Sequence, residues 1–263
     1  MSLYAVSSDV SDRGSEVAAS ANRRRGARYT SITVWVLLGT AAGTVAQAGS
    51  AAVPSAAASE RCGVPGYSYA GLQDARRTHG VRATVIALAK PIVAEGHVAA
   101  WVGVGGPGEG PGGTDSWIQI GLSAFADGSS RLYFEVNRHG AGPQYTQLAA
   151  RVETGRPHEV AALEIASRPD WWRVWLDGAP VSPPVNLPKS SGRWRPIVTA
   201  ETWDGGKAVC NRFAYRFESI AIAARRGGSW IPFVVGAVFR DPGYRVVREP
   251  GPTFVADAIG TPR

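Results

Sequence analysis

Very little in this sequence could hold a metal ion. Among 263 residues there are only two cysteines, Cys62 and Cys210, and four histidines. His79, His97, His139 and His158 lie far apart with no i, i+4 pair, so no metal site is expected, and no cofactor either. The Gly-x-Ser-x-Gly motif is missing, which disfavours a serine hydrolase of the nucleophile-elbow type. The glycine-rich stretch GGPGEGPGG at 105–113 has no lysine, contains Pro107 and Pro111, and runs into an alternating segment. A phosphate cradle needs amides converging at a helix N-terminus, and none follows, so the stretch reads as a loop between two strands. No basic block of the kind that forms a nucleic-acid arm is present either. The 28 cationic residues against 21 acidic ones are mainly scattered arginines, so no nucleic-acid partner is expected. Such a mildly cationic surface is compatible with acidic cell-envelope polymers. Helical periodicity is scarce too, and Ala70–His79 is the one stretch read as a possible short helix.

What is present divides the chain. Arg23-Arg24-Arg25 and Arg28 form a basic region, Ile32 to Ala46 is apolar, and Ala46-Gln47-Ala48 has the small-x-small form of a signal-peptidase site. Residues 1–48 are therefore expected to be a signal peptide with an extended n-region, 49–60 a flexible linker, and 61–263 a single domain. The apolar run is short and rich in glycine and threonine for a spanning helix, so secretion is expected, with no membrane contact after cleavage. A retained N-terminal membrane anchor is the alternative. Removing residues 1–48 takes away five arginines and three acids and lowers the formal charge from +7 to +5. In an exported chain Cys62 and Cys210 most simply pair with each other, closing a long loop that stabilises by about 5 kcal/mol at most. A monomer is expected.

Short β-rich runs recur along the remainder: Val81–Leu88, Val98–Val104, Trp117–Ser123, Arg131–Asn137, Val160–Ala166, Trp171–Asp177, Ile197–Trp203, Phe213–Ile222 and Phe233–Phe239. Between them stand turn residues such as Asp127-Gly128 and Asp204-Gly205-Gly206. Arg168-Pro169-Asp170 reads as a hairpin loop, and the proline-rich 182–188 as an edge or loop. Many short strands at this spacing predict an all-β, two-sheet sandwich or jelly roll with little helix.

A strand's side chains alternate between faces. Ile118, Ile120 and Leu122 share one face, opposite Trp117, Gln119, Gly121 and Ser123. Leu132, Phe134 and Val136 oppose Tyr133, Glu135 and Asn137; Trp172, Val174 and Leu176 oppose Trp171, Arg173 and Trp175. Thr199, Glu201 and Trp203 stand together on a fourth strand. Four strands thus carry an apolar face and a second face mixing large aromatics with hydrogen-bonding groups. Ordinary solvent faces are not built of tryptophan, so these second faces are expected to form one concave binding surface. Its candidates are Trp117, Tyr133, Glu135, Asn137, Arg173, Trp175 and Trp203.

The order of these segments resembles the glutamic peptidases, or eqolisins. Trp101-Val102-Gly103-Val104, a Gly-rich loop and Gln119-Ile120-Gly121 are similar to that family's tryptophan strand, loop and Gln-x-Gly motif. Tyr133-Phe134-Glu135 resembles the aromatic-acidic strand that follows, and Ala200-Glu201-Thr202-Trp203 the strand bearing the catalytic glutamate. The chain as a whole also resembles exported proteins of actinobacterial type. The family resemblance implies a concanavalin-like sandwich and an acid-acting peptidase. It implies Gln119 as holder of the attacking water and oxyanion donor, Glu201 as general base and then acid, and Trp101 beside them. The family's acidic positions after the tryptophan and after Gln-x-Gly are occupied here by Gly105 and Ser123.

Two readings of the same face therefore stand. One is hydrolysis of a polypeptide substrate by Gln119 and Glu201. The other is a lectin-like module in which aromatic rings stack on a cell-envelope glycan. For Glu201, an ion pair with Arg173 or Arg195 is the bland alternative, and Glu135 with Glu201 could supply a glycosidase carboxylate pair.

Overall fold

The computed structural model describes residues 64–207 and 209–259. The expected leader and linker lie outside that range. So does Cys62, and with it the expected Cys62–Cys210 pairing.

Sixteen strands follow one another along the described chain. The first five are β1 (Tyr67–Asp74), β2 (Gly80–Ala87), β3 (His97–Gly106), β4 (Ser116–Phe125) and β5 (Ser130–Arg138). Next come β6 (Gly142–Val152), β7 (Pro157–Glu164), β8 (Trp171–Leu176), β9 (Ala179–Pro180) and β10 (Val185–Asn186). The last six are β11 (Pro196–Trp203), β12 (Ala214–Arg225), β13 (Gly228–Pro232), β14 (Val235–Arg240), β15 (Tyr244–Glu249) and β16 (Thr253–Ala258). One 3-10 turn, Pro111–Gly113, interrupts the β3–β4 connection. No helix among the described residues is long and apolar enough to cross a membrane.

Seven strands form the first sheet, in the order β14-β1-β11-β3-β4-β5-β6. The second runs β10-β8-β7-β2-β12-β16-β15, with β13 added to β12 and β9 to β8. Every pairing is antiparallel, and the two sheets face each other across one apolar core. Even-numbered residues of the first sheet supply half of that core: Val98, Ala100 and Val102 from β3, Ile118, Ile120 and Leu122 from β4, Leu132 and Phe134 from β5, and Val198 and Ala200 from β11. Val81, Val85, Trp172, Val174, Phe217 and Phe254 answer them from the second. This is the two-sheet sandwich that the alternation predicts.

Two expectations need correction. Ala70–His79 is not a helix: Tyr67–Asp74 is β1, paired with β11 on one side and β14 on the other. Ala70 and Leu72 point into the core at alternate positions, and seven ladder pairs with β11 override the weak local helical pattern. Arg173 and Trp175 do not join Gln119 and Glu201. Their strand, β8, belongs to the second sheet, where Trp172 and Val174 face the core and the intervening residues face away from the first sheet. Alternation fixes which residues share a face of one strand, but not which sheet receives the strand.

Candidate functional site

Odd-numbered side chains of β1, β11, β3, β4 and β5 point away from the core, and the ladder aligns them in rows. One row reads Thr199, Trp101, Gly121, Tyr133 across β11, β3, β4 and β5. The neighbouring row toward β1's start contains Tyr69, Glu201, Ala99 and Ser123. On the other side lie Ile197, Gly103, Gln119, Glu135 and Tyr145. Glu201 and Gln119 therefore flank Trp101 diagonally, one strand away on either side and in opposite neighbouring rows.

These groups face outward yet are sheltered. Trp101 is 8% exposed, Gln119 7%, Glu201 7% and Tyr133 2%, and Ala99, Trp101 and Tyr133 pack into a second apolar cluster with Tyr69 and Ile197. Polar groups so withdrawn from water need partners, and each has one. The Trp101 indole N–H donates to Glu201 Oε2 at 2.9 Å, and His97 Nε2 lies 3.4 Å from the other carboxylate oxygen. Gln119 Nε2 donates to the Tyr133 hydroxyl at 3.2 Å. Trp117 Nε1 donates to Glu135 Oε1 at 2.9 Å. Neither arginine alternative for Glu201 occurs; its partners are an indole and an imidazole.

The Glu135 carboxyl feels the charge of Glu201. Burial, and after it the charge of Glu201, push the Glu135 carboxyl up to about 7, against the opposing pull of the Trp117 N–H. The phenols of Tyr133 and Tyr69 are driven well up, first by burial and then by Glu201. A proton is thus held on Glu135 in acid while a second carboxyl stands nearby, an arrangement suited to proton transfer.

Glycine creates the space. A Cβ on Gly121 would lie 1.9 Å from the Ala100 carbonyl oxygen, so no larger residue fits between Trp101 and Tyr133. Gly105 has φ +86°, and a Cβ there would meet Ser116 O at 2.3 Å. This backbone therefore cannot accept the acid that the eqolisin pattern has at that position. At the other departure, Ser123 Oγ bonds the Tyr145 hydroxyl at 2.9 Å, and Tyr145 stacks on Tyr133 with ring centroids 5.0 Å apart.

Of the residues singled out in the sequence, Trp101, Trp117, Gln119, Tyr133, Glu135, Asn137, Glu201 and Trp203 share this outer face. His97, Tyr67, Tyr69 and Tyr145 also belong to it and were not singled out. His97 follows from extending the β3 alternation by one step. Tyr67 and Tyr69 require recognising β1, and Tyr67 stacks between Tyr69 and Trp203. The described residues contain no group of three or more histidine, cysteine, aspartate or glutamate side chains able to hold a metal ion.

No family model and no curated protein matches the sequence. Solved structures do. Scytalido-glutamic peptidase with a peptide-based transition state analogue superposes with a TM-score of 0.50 at 15% identity, over 74% of this chain and 98% of that one. SCP-B, a member of the eqolisin family in complex with the tripeptide Ala-Ile-His, gives 0.46 at 16% identity with the same coverage. A carbohydrate binding module from Bacillus subtilis gives 0.32 at 10% identity, over 60% of this chain and 81% of that one. The eqolisin-like sandwich is thus this chain's fold, and at such identity the likeness extends to the fold alone.

Proposed function

We propose that this chain is an exported peptidase of the glutamic type, working in acid on polypeptides. The observation that carries the reading is the diagonal Glu201–Trp101–Gln119, set on the outward face yet nearly withdrawn from solvent. A water held between the Gln119 carboxamide and the Glu201 carboxylate attacks the scissile carbonyl. Glu201 takes the water's proton and returns it to the departing nitrogen, while the Gln119 amide N–H donates to the oxyanion. Trp101 fixes the orientation of Glu201, and the Tyr133 hydroxyl that of Gln119. Glu135, neutral below about 7, keeps a second negative charge out of the site in acid.

The test is digestion of an unfolded polypeptide across acidic pH. Glu201→Gln and Gln119→Ala should each lower the rate at least about a hundredfold, the scale of a lost general acid–base group. Digestion that persists in both variants overturns the assignment.

A second reading draws on Tyr67, Tyr69 and Trp203, three rings stacked at the Glu201 end of the face. In it the face binds a glycan without cleaving anything. Trp203→Ala would then abolish glycan retention and Glu201→Gln would spare it.

A further inference from the structure

The opposite side of the sandwich carries a feature that proteolysis does not use. In the second sheet, Trp175, Ala161 and Arg82 stand in one row across β8, β7 and β2, and Arg173, Leu163 and Gly80 in the next. Ala161, Leu163 and Gly80 thus floor a strip bordered by Arg173 and Trp175 on one strand and Arg82 on another. Arg82 reaches over the Trp230 ring, 4.7 Å from its centroid, and Arg168 lies 3.7 Å over Trp171. Stacking holds each guanidinium plane against a ring and leaves its N–H edge available. Arg173 Nε is buried without any hydrogen-bond partner.

The charge here is not neutralised internally. Gly227 N donates to Glu164 O at 2.8 Å, which folds the β12–β13 turn onto the loop after β7 and brings the exposed Arg225 and Arg226 to the same end. Asp177 accepts from the Glu159 amide and lies 2.9 Å from His158 Nδ1, Glu218 pairs with Arg216, and the exposed Glu159 stands one row beyond Ala161. Glu164 and Asp170 are engaged elsewhere. Glu164, fully buried, bonds His79 Nδ1 at 2.6 Å and the Asp170 amide at 2.7 Å; Asp170 Oδ1 accepts from Ser191 N at 2.7 Å. Among the described residues, no ion pair reaches Arg82, Arg168, Arg173, Arg225 or Arg226.

We infer that this face docks an acidic polysaccharide. Guanidinium forks pair in two-point fashion with carboxylates, and an indole face such as Trp175 accepts the flat side of a sugar ring. A chain of sugar rings that bear carboxylates offers both partners at once, so a ring-built polyanion is the complement of this strip. The surface is independent of the peptidase reading, because it lies on the other sheet.

Retention of the full chain on immobilised polygalacturonate tests the inference, with dextran as the uncharged polymer and single-stranded DNA as a competing polyanion. The protein should bind polygalacturonate, release it as salt rises, and ignore dextran. Arg173→Ala and Trp175→Ala should each weaken binding about tenfold, the loss expected of one charge-assisted contact. Lys207→Ala, which removes an exposed cation paired with Glu95 elsewhere, should not. Equal weakening by Lys207→Ala reduces the effect to net charge and overturns the proposal. Equal retention on dextran, or tighter binding to the DNA, does the same. Circular dichroism of each variant separates loss of binding from loss of fold.

Discussion

The indole nitrogen of Trp101 lies 2.9 Å from Glu201 Oε2, on the strand between those that carry Glu201 and Gln119. One side chain thereby orients the carboxylate and occupies the centre of the site. Replacing it with phenylalanine keeps a ring and removes the donor. Trp101→Phe should lower kcat about tenfold or more, the value of a hydrogen bond to a charged group, with the fold retained by circular dichroism. An unchanged kcat would show that Glu201 needs no such anchor.

Tyr133 plays the matching part for Gln119. Its hydroxyl accepts the carboxamide N–H at 3.2 Å. Tyr133→Phe frees the carboxamide to rotate, so kcat should fall several-fold while KM changes little. Steady-state kinetics on one peptide series reads the difference. A rise in KM alone would make Tyr133 a substrate contact instead.

Glu135 makes stability depend on pH with a definite sign. Its carboxyl is raised from 4.5 to about 7 in the folded protein, so the native state holds the proton longer than the unfolded one. The resulting stabilisation is fully present below about 4.5 and is lost as pH rises through about 7, amounting to about 3 kcal/mol at most. Melting temperature should therefore fall over that interval in the native chain. In Glu135→Gln the fall should be shallower, and a parallel decline in both proteins would remove Glu135 as its source.

Gly121 is the most constrained position of the face. With a Cβ meeting the Ala100 carbonyl oxygen at 1.9 Å, Gly121→Ala must push β3 and β4 apart. A loss of about 3 kcal/mol or more is expected, measurable by urea unfolding. Stability within 1 kcal/mol of the native chain, on the scale of ordinary surface changes, would contradict this spacing.

Much of this architecture is legible before any coordinates. β3, β4, β5 and β11 alternate cleanly, so period two places Gln119, Glu135 and Glu201 each opposite the apolar face of its own strand, while their meeting on one sheet rests on strand pairing. β6 could not be read in that way: its eleven residues are mostly exposed on both faces, so no apolar alternation marks Tyr145. β1 carries Ala70 and Leu72 in a setting that also suits a helix, which hid Tyr67 and Tyr69. The assignment of β8 to the second sheet depends on pairing with β7, a long-range choice that no local spacing encodes. The partnership of Trp101 with Glu201 is equally non-local, spanning a hundred positions of sequence.

The separation of Arg173 and Trp175 from Gln119 has a consequence for how the molecule could sit on a solid support. A body gripped by one broad side leaves its reverse turned toward the surrounding fluid. An attached copy would keep Gln119 and Glu201 open to passing chains, so anchorage and turnover would not compete for the same ground.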